Sequence, residues 1–247
     1  MTAPLGCLIL HGFTSSLDTV RALVPMAERL GVPYRMPILR GHSTRPEDLR
    51  GVEWRDWFDD AVTALLALRR ETERVAVCGL SMGGLVALHL AAEYPDDVAC
   101  VATIAAALRI NNRLIRLSPV LARVLRNRMW QGNPASGYAD ATLLSANTNY
   151  RSFPLDALVS LYRYGPVVEQ MLPRVHAPLL VIHSHRDLVI KPISANMIYE
   201  RAGTTDKQLL WFERSGHEML QDLEAADVVA AIEMFIRTHT PAAEAST

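Results

Sequence analysis

Residues 74–91 read RVAVCGLSMGGLVALHLA, and this stretch decides the fold class. A run of β-formers, Arg74–Cys78, stops at Gly79. A lone serine, Ser81, follows, and Gly83 and Gly84 then open a helix-forming run that lasts to Glu93. A residue projected from so tight a strand-to-helix turn sits on strained backbone. The turn brings neighbouring segments close, so the positions two before and two after it tolerate little but glycine. Gly79 and Gly83 hold those positions. Such a turn exposes the serine hydroxyl and aims the unpaired N–H groups of the following helix at the same point. Ser81 is therefore a candidate nucleophile and the Met82 N–H a candidate oxyanion donor. A plain glycine-rich turn with an incidental serine has the same spacing, but the flanking strand and helix favour the chemical reading. A phosphate loop fits poorly, because no lysine follows the glycines.

Working outward, short apolar runs recur at Cys7–His11, Tyr34–Met36, Arg74–Cys78, Val98–Ile104, Leu179–His183 and Gln208–Phe212. They are continuously apolar, as suits parallel strands covered on both faces. Helical patterns alternate with them at Thr19–Leu30, Trp54–Arg70, Gly83–Glu93, Ile193–Arg201 and Ala225–His239. This alternation predicts a doubly wound, mostly parallel α/β sheet of about six strands. From Leu108 to Gly165 no clean strand appears, and the segment reads as helical pieces. An insertion of this size between two strand–helix units is a candidate cap over the end of the sheet. The expected organisation is a core of residues 1–107 and 166–239, a helical cap at 108–165 and a frayed tail at 240–247.

Composition narrows the classes. The chain has 247 residues, half of them hydrophobic, enough for a sizeable core. A formal net charge of −1 gives no electrostatic case for nucleic acid. No apolar run is long enough to span a membrane, and the first residues do not read as a signal peptide. Cys7, Cys78 and Cys100 form an odd, widely spaced set in apolar runs. That argues for reduced thiols and a cytoplasmic location. Trp54 and Trp57, three apart, read as one buried helix face.

A serine hydroxyl is a weak nucleophile and needs a base, which itself needs orienting. The order expected on this kind of sheet is nucleophile, acid, histidine. Downstream, APLLVIHSHRDLVI (177–190) is a strand ending in a polar loop that carries Asp187. KQLLWFERSGHEML (207–220) repeats the design, with a Ser-Gly turn before His217. Both loops fall at the carboxyl edge of the sheet. Asp187 and His217 are thus the acid and base candidates. His183 is placed in the strand, His185 is a local loop residue, and Asp206 and Asp222 lie at poorer positions. After the first strand, His11-Gly12-Phe13 puts a glycine where backbone must approach a substrate. Phe13 N–H is the second candidate oxyanion donor, and its ring a candidate wall of the acyl pocket. The same loop also offers Ser15, Ser16 and Asp18 as helix caps. Ile190 beside the acid loop either touches substrate or packs in the core. His42 reads as a structural loop histidine.

Taken together, LHGFT (10–14), LRGH (39–42), GLSMGG (79–84), SHRDLVIKPISANMIYE (184–200) and FERSGHEML (212–220) resemble the α/β-hydrolase family. Within it the chain is most similar to small bacterial carboxylesterases and monoacylglycerol lipases. The resemblance covers about residues 5 to 238 and is weakest in the cap. It implies Ser81 as nucleophile, Asp187 as acid, His217 as base and the Phe13 and Met82 amides as the oxyanion hole. It also implies a substrate pocket touching Gly12, Phe13 and Ile190. The implied activity is hydrolysis of small-molecule carboxylic esters through an acyl-enzyme, without metal or organic cofactor. Two departures stand out. Many relatives have a further glycine after LRGH where this chain has Ser43, and the antiparallel strands that open larger members are missing here.

The cap offers the only hint of substrate. Arg109, Arg113, Arg116, Arg123, Arg126 and Arg128 accompany Ile110, Leu114, Leu117, Leu121 and Val124 at helical spacing, interrupted at Pro119. One reading is a lid in peripheral contact with lipid; the other, favoured, is a cap helix with a solvated arginine side. Hydrolysis of another acyl or carbon–carbon bond, or a slow-turnover ligand receptor on the same scaffold, stays open, because function resides in the pocket rather than the fold. Oligomeric state cannot be read from the sequence.

Overall fold

The computed structural model describes residues 2–112, 115 and 128–240. Its main sheet is built from β1 (Ala3–Leu10), β2 (Tyr34–Arg35), β3 (Thr72–Leu80), β4 (Val98–Ile104), β7 (Leu179–Ser184) and β8 (Lys207–Phe212), in the order β2-β1-β3-β4-β7-β8. Every neighbouring pair in it is parallel. The central strands are apolar on both sides because both sides are covered. Leu8, Val75, Val77, Val101 and Val181 enter one core cluster, and Cys7, Ile9, Ala76, Cys78, Cys100 and Ile182 the other. Helices α2 (Trp54–Arg69), α3 (Met82–Glu93) and α5 (Ile193–Arg201) pack on the first face, and α1 (Val24–Leu30) and α6 (Ala225–Thr238) on the second. The six expected strands and the doubly wound arrangement are therefore present. Trp57 is fully buried, whereas Trp54 is only partly so.

Helix α3 has no polar face. Every residue from Met82 to Ala92 is buried, since the sheet lies on one side and α4 (Leu155–Met171) covers the other. This pins the helix whose N-terminus follows Ser81. The predicted helix at 19–30 divides into a 3₁₀ segment, Leu17–Leu23, and α1, with Ser16 capping the former through Asp18 N–H.

The insertion departs from expectation in one respect. Where no strand is predicted, β5 (Met129–Gln131) and β6 (Ser152–Pro154) form a small antiparallel ribbon, with Trp130 opposite Phe153. Three-residue strands are too short to leave an alternating pattern, and the Phe153 ring packs edge-on against Phe13 of the β1 loop. Helix α4 runs through residue 165, where the cap boundary is drawn from sequence. Gly165 sits inside it because a Cβ there would lie 2.8 Å from the Leu108 carbonyl oxygen. The arginine-bearing stretch from Arg113 to Asn127 lies outside the described residues apart from Ile115, as does the tail beyond Thr240. Among the described residues no helix is long and apolar enough to cross a membrane.

Candidate active site

Four loops converge at the carboxyl ends of β1, β3, β7 and β8. Ser81 follows β3 directly, with φ 57° and ψ −115°. That conformation is costly for a residue with a side chain and persists only where its surroundings dictate it. Here they do. Ser81 N–H donates to Ile104 O at 2.9 Å, and Ser81 O accepts from Gly84 N–H at 3.0 Å and Ala107 N–H at 3.1 Å. The two glycines predicted to admit the turn are both needed. A Cβ on Gly79 would lie 2.2 Å from Gly83 O, and one on Gly83 would lie 2.3 Å from Leu10 O.

The loop after β1 lies against the same turn: a Cβ on Gly12 would sit 3.2 Å from Ser81 Cβ and 3.7 Å from Ser81 Oγ. Two buried histidines hold this loop. Leu39 N–H donates to His11 Nε2 at 3.1 Å, so His11 carries its proton on Nδ1 and donates it to Gly12 O at 2.9 Å. Thr14 N–H donates to His42 Nε2 at 3.1 Å, and His42 Nδ1 donates to Leu39 O at 3.0 Å. Burial pushes His11 down to about 4 and His42 to about 3. An imidazolium would also lose the lone pair that accepts each amide. His42 is thus structural, as read from sequence. Between these anchors, neither Phe13 N–H nor Met82 N–H donates to an acceptor among the described residues. The Phe13 ring packs edge-on against Trp57, Phe153 and His42.

Asp187 stands beyond β7 and is buried. Its Oδ1 accepts from Val189 N–H and Ile190 N–H, both at 2.8 Å. Its Oδ2 accepts from His217 Nδ1 at 2.8 Å, and His183 Nε2 lies 3.4 Å from the same oxygen. Burial favours the neutral acid, but the His217 charge and hydrogen bond, the Ile190 amide and His183 outweigh it, and Asp187 is held below the usual carboxylate range. His217 is the complement. Burial lowers it, yet the Asp187 charge and hydrogen bond leave it above the ordinary histidine value.

The two loops are fastened to each other. Ser184 Oγ donates to Ser215 O, and His185 N–H donates to Phe212 O at 3.0 Å. Glu224 Oε2 accepts from Arg214 N–H at 2.9 Å and Ser215 N–H at 2.7 Å, while Glu224 N–H donates to Ser215 Oγ at 2.9 Å. Asp222, a weak candidate for the acid from sequence, instead joins the histidine loop to the insertion. Its Oδ2 accepts from Gly216 N–H at 2.6 Å and Ala139 N–H at 2.7 Å.

Ser81 and His217 open onto one cavity of about 340 Å³, within the range of small-molecule sites. In this conformation no hydrogen bond joins Ser81 Oγ to His217, as is common in unliganded sites. Gly12, Phe13 and Ile190 line the cavity, and Ile190 pairs with Ile110 across an isolated bridge. Sequence reading misses Asn149, Tyr150, Phe153, Leu161 and Glu218 on its walls. Only Glu218 carries a local signal, an acid directly after the base candidate in an otherwise apolar GHEML. Among the described residues no cluster of His, Cys, Asp and Glu is arranged to hold a metal ion.

The sequence model of the family described as serine aminopeptidase, S33, matches residues 5–224. The chain belongs to this α/β-hydrolase family. It is 28% identical over 218 residues to a carboxylesterase of Bacillus subtilis (strain 168), covering 88% of this chain and 86% of the relative. It is 27% identical over 244 residues to a thermostable monoacylglycerol lipase of Bacillus sp. (strain H-257), covering 96% and 92%. A solved structure described with the metagenome-derived lipolytic enzymes LipS and LipT superposes with a TM-score of 0.89 at 31% identity, covering 97% of this chain and 96% of the other. As an α/β-hydrolase the chain has the expected fold and the expected class of enzyme.

Proposed function

We propose that this hydrolase cleaves carboxylic esters, acyl esters of short or medium chain or monoacylglycerols, with Ser81 as nucleophile, His217 as base and Asp187 as its orienting acid. One observation carries the reading: the buried His217–Asp187 hydrogen bond opens onto the cavity that Ser81 shares. The carboxylesterase and monoacylglycerol lipase relatives support the ester as the bond cleaved.

In this scheme His217 Nε2 takes the Ser81 proton as Oγ attacks the ester carbonyl. The oxyanion is held by Phe13 and Met82 N–H, both free of acceptors among the described residues. The intermediate collapses, the carbonyl–alkoxy bond breaks, and His217 returns the proton to the leaving alcohol. Water then attacks the acyl-enzyme, His217 takes its proton, and collapse releases the acid and restores Ser81. Apolar walls at Phe153, Leu161 and Ile190 suit the acyl chain. The described residues of the 108–165 segment that line this cavity, among them Ile110, Asn149 and Phe153, act as its cap, and the three buried free thiols fit a cytoplasmic setting.

The test is labelling with a serine-directed fluorophosphonate and peptide mapping, followed by p-nitrophenyl esters and monoacylglycerols of rising chain length. Modification at Ser81 and a drop in kcat of about 10⁴- to 10⁶-fold in Ser81→Ala are expected. Near-full esterase activity in that variant, or labelling elsewhere, overturns the proposal.

A further inference from the structure

Two of the buried polar atoms left without partners among the described residues belong to one hydrogen-bonded pair, Asn149 and Glu218. Asn149 Nδ2 donates to Glu218 Oε1 at 2.7 Å, yet Asn149 Oδ1 and Glu218 Oε2 are both shut from solvent and unpartnered. Both are acceptors if Glu218 is ionised, and two buried acceptors with no donor carry the full desolvation cost of each. A single proton on Oε2 turns the pair into a donor and an acceptor. Glu218 is only 6% exposed, and its neighbours hold it in place. Its N–H donates to Gly137 O at 2.8 Å, and Gly137 leaves no room for a side chain, since a Cβ there would lie 3.0 Å from Glu218 Cγ.

We infer that Glu218 is held as the neutral acid and closes a two-point acid–amide ring with Asn149, in which Glu218 Oε2–H donates to Asn149 Oδ1 and Asn149 Nδ2–H donates to Glu218 Oε1. Of the charged groups facing it, the two aspartates favour this assignment and a charged His217 opposes it. Asp187 and Asp222 both push a proton onto Glu218, and Tyr138 is itself pushed up to about 12 by burial, so it remains a neutral phenol. His217 opposes them only when charged. Burial is the largest influence and acts in the same direction as the two aspartates.

The ring makes Glu218 a positioning residue with two effects. It clamps the Gly137–Asn149 wall of the cavity onto the loop that carries His217. It also keeps a second negative charge away from the imidazole, so the base is not driven further toward its protonated form. The second effect rests on the reading of His217 as the base; the protonation state does not.

The experiment separates them. Protein carrying ¹³C at glutamate carboxyls is examined by infrared difference spectroscopy at pH 7, parent against Glu218→Gln. The parent should show the carbonyl stretch of a protonated acid that the variant lacks, and the measurement needs no turnover. Asn149→Leu should move that stretch to higher frequency by removing the amide. In activity assays Glu218→Gln, which mimics the neutral acid, should leave the midpoint of the acid limb of kcat/KM in place. Asn149→Asp, which adds a carboxyl, should raise it. Absence of the protonated-acid band in the parent overturns the inference. So does a fall of about one pH unit in the acid-limb midpoint of Glu218→Gln, the signature of removing an ionised neighbour. If Glu218→Gln does not fold, the band in the parent and its response to Asn149→Leu decide the matter alone.

Discussion

At the scale of single residues, the protonation of one imidazole governs the proposed chemistry. His217 must be neutral to accept the Ser81 proton, and its value is raised in the folded protein, with burial opposed and exceeded by Asp187. The acid limb of kcat/KM should therefore have its midpoint above the ordinary histidine value of 6.5. Activity should rise through that midpoint as pH increases. Asp187→Asn should cut kcat by about 10⁴-fold, by losing both the charge and the tautomer it selects. A pH–rate profile on a soluble ester checks the first point, and a midpoint well below 6.5 would show that Asp187 does not govern this imidazole. The same shift has a sign for stability. The His217–Asp187 attraction is fully present below the unfolded histidine value and is lost as pH rises through the raised folded value. The residues of this site that are legible in the sequence are those marked locally. Ser81 announces itself through the glycines that its backbone demands. Asp187 and His217 follow from chain order and from their place after strands. Glu218 and Asn149 are not legible as a pair, because they meet across 69 positions of sequence and nothing local marks the amide.

At the scale of elements, strands are readable because burial on both faces makes them continuously apolar, and α3 because its flanks are unambiguous. The β5–β6 ribbon is not, since three-residue strands leave no periodic pattern and Phe153 packs on Phe13, 140 positions away. Nor does the sequence reveal how the base loop keeps its shape. That work falls to Glu224 at the start of α6, which takes the Arg214 and Ser215 amides and is 8% exposed. Burial raises Glu224, but the Ser215, Arg214 and Glu213 donors more than offset it and hold it low, so it is an ionised clamp. Glu224→Ala strips these partly buried amides of their acceptor. Folding stability should drop by about 2 kcal/mol in urea titrations, the usual range for charge-assisted bonds. Because the loop bears His217, kcat should fall more than KM changes. A variant of parental stability and kcat would show that Ser184 and Asp222 hold the loops unaided.

At the scale of the whole molecule, three uncharged histidines are sealed into one side of the fold. His11 and His42 are fixed by the amides they accept, and His89 lies stacked on Phe58 with Nδ1 3.0 Å from the Tyr164 hydroxyl. Burial, the first cause in each case, brings them to about 4, about 3 and about 4. In the unfolded chain each would titrate near 6.5. Below that pH the unfolded state binds protons that the folded state refuses, so stability must fall as pH falls. Each histidine adds a slope of about 1.4 kcal/mol per pH unit until its folded value is reached, or about 4 for the three together. The depressed carboxylates Asp187, Glu169 and Glu224 act in the same sense, but only at lower pH, as each is protonated through its folded value. The raised His217 and Glu218 act in the opposite sense, but the buried His183, which desolvation likewise lowers, adds to the three, and two groups do not cancel four. Since whole domains have only about 5–15 kcal/mol of stability, acid unfolding should set in between about pH 5 and 4, ahead of ordinary carboxylate titration. Urea unfolding at pH 7, 6 and 5 should show the midpoint dropping steeply. His89→Gln, which keeps a polar side chain but does not titrate, should reduce the slope by about 1.4 kcal/mol per pH unit. Superimposable unfolding curves from pH 7 to 5 would mean that these imidazoles take up protons as readily inside the protein as outside it.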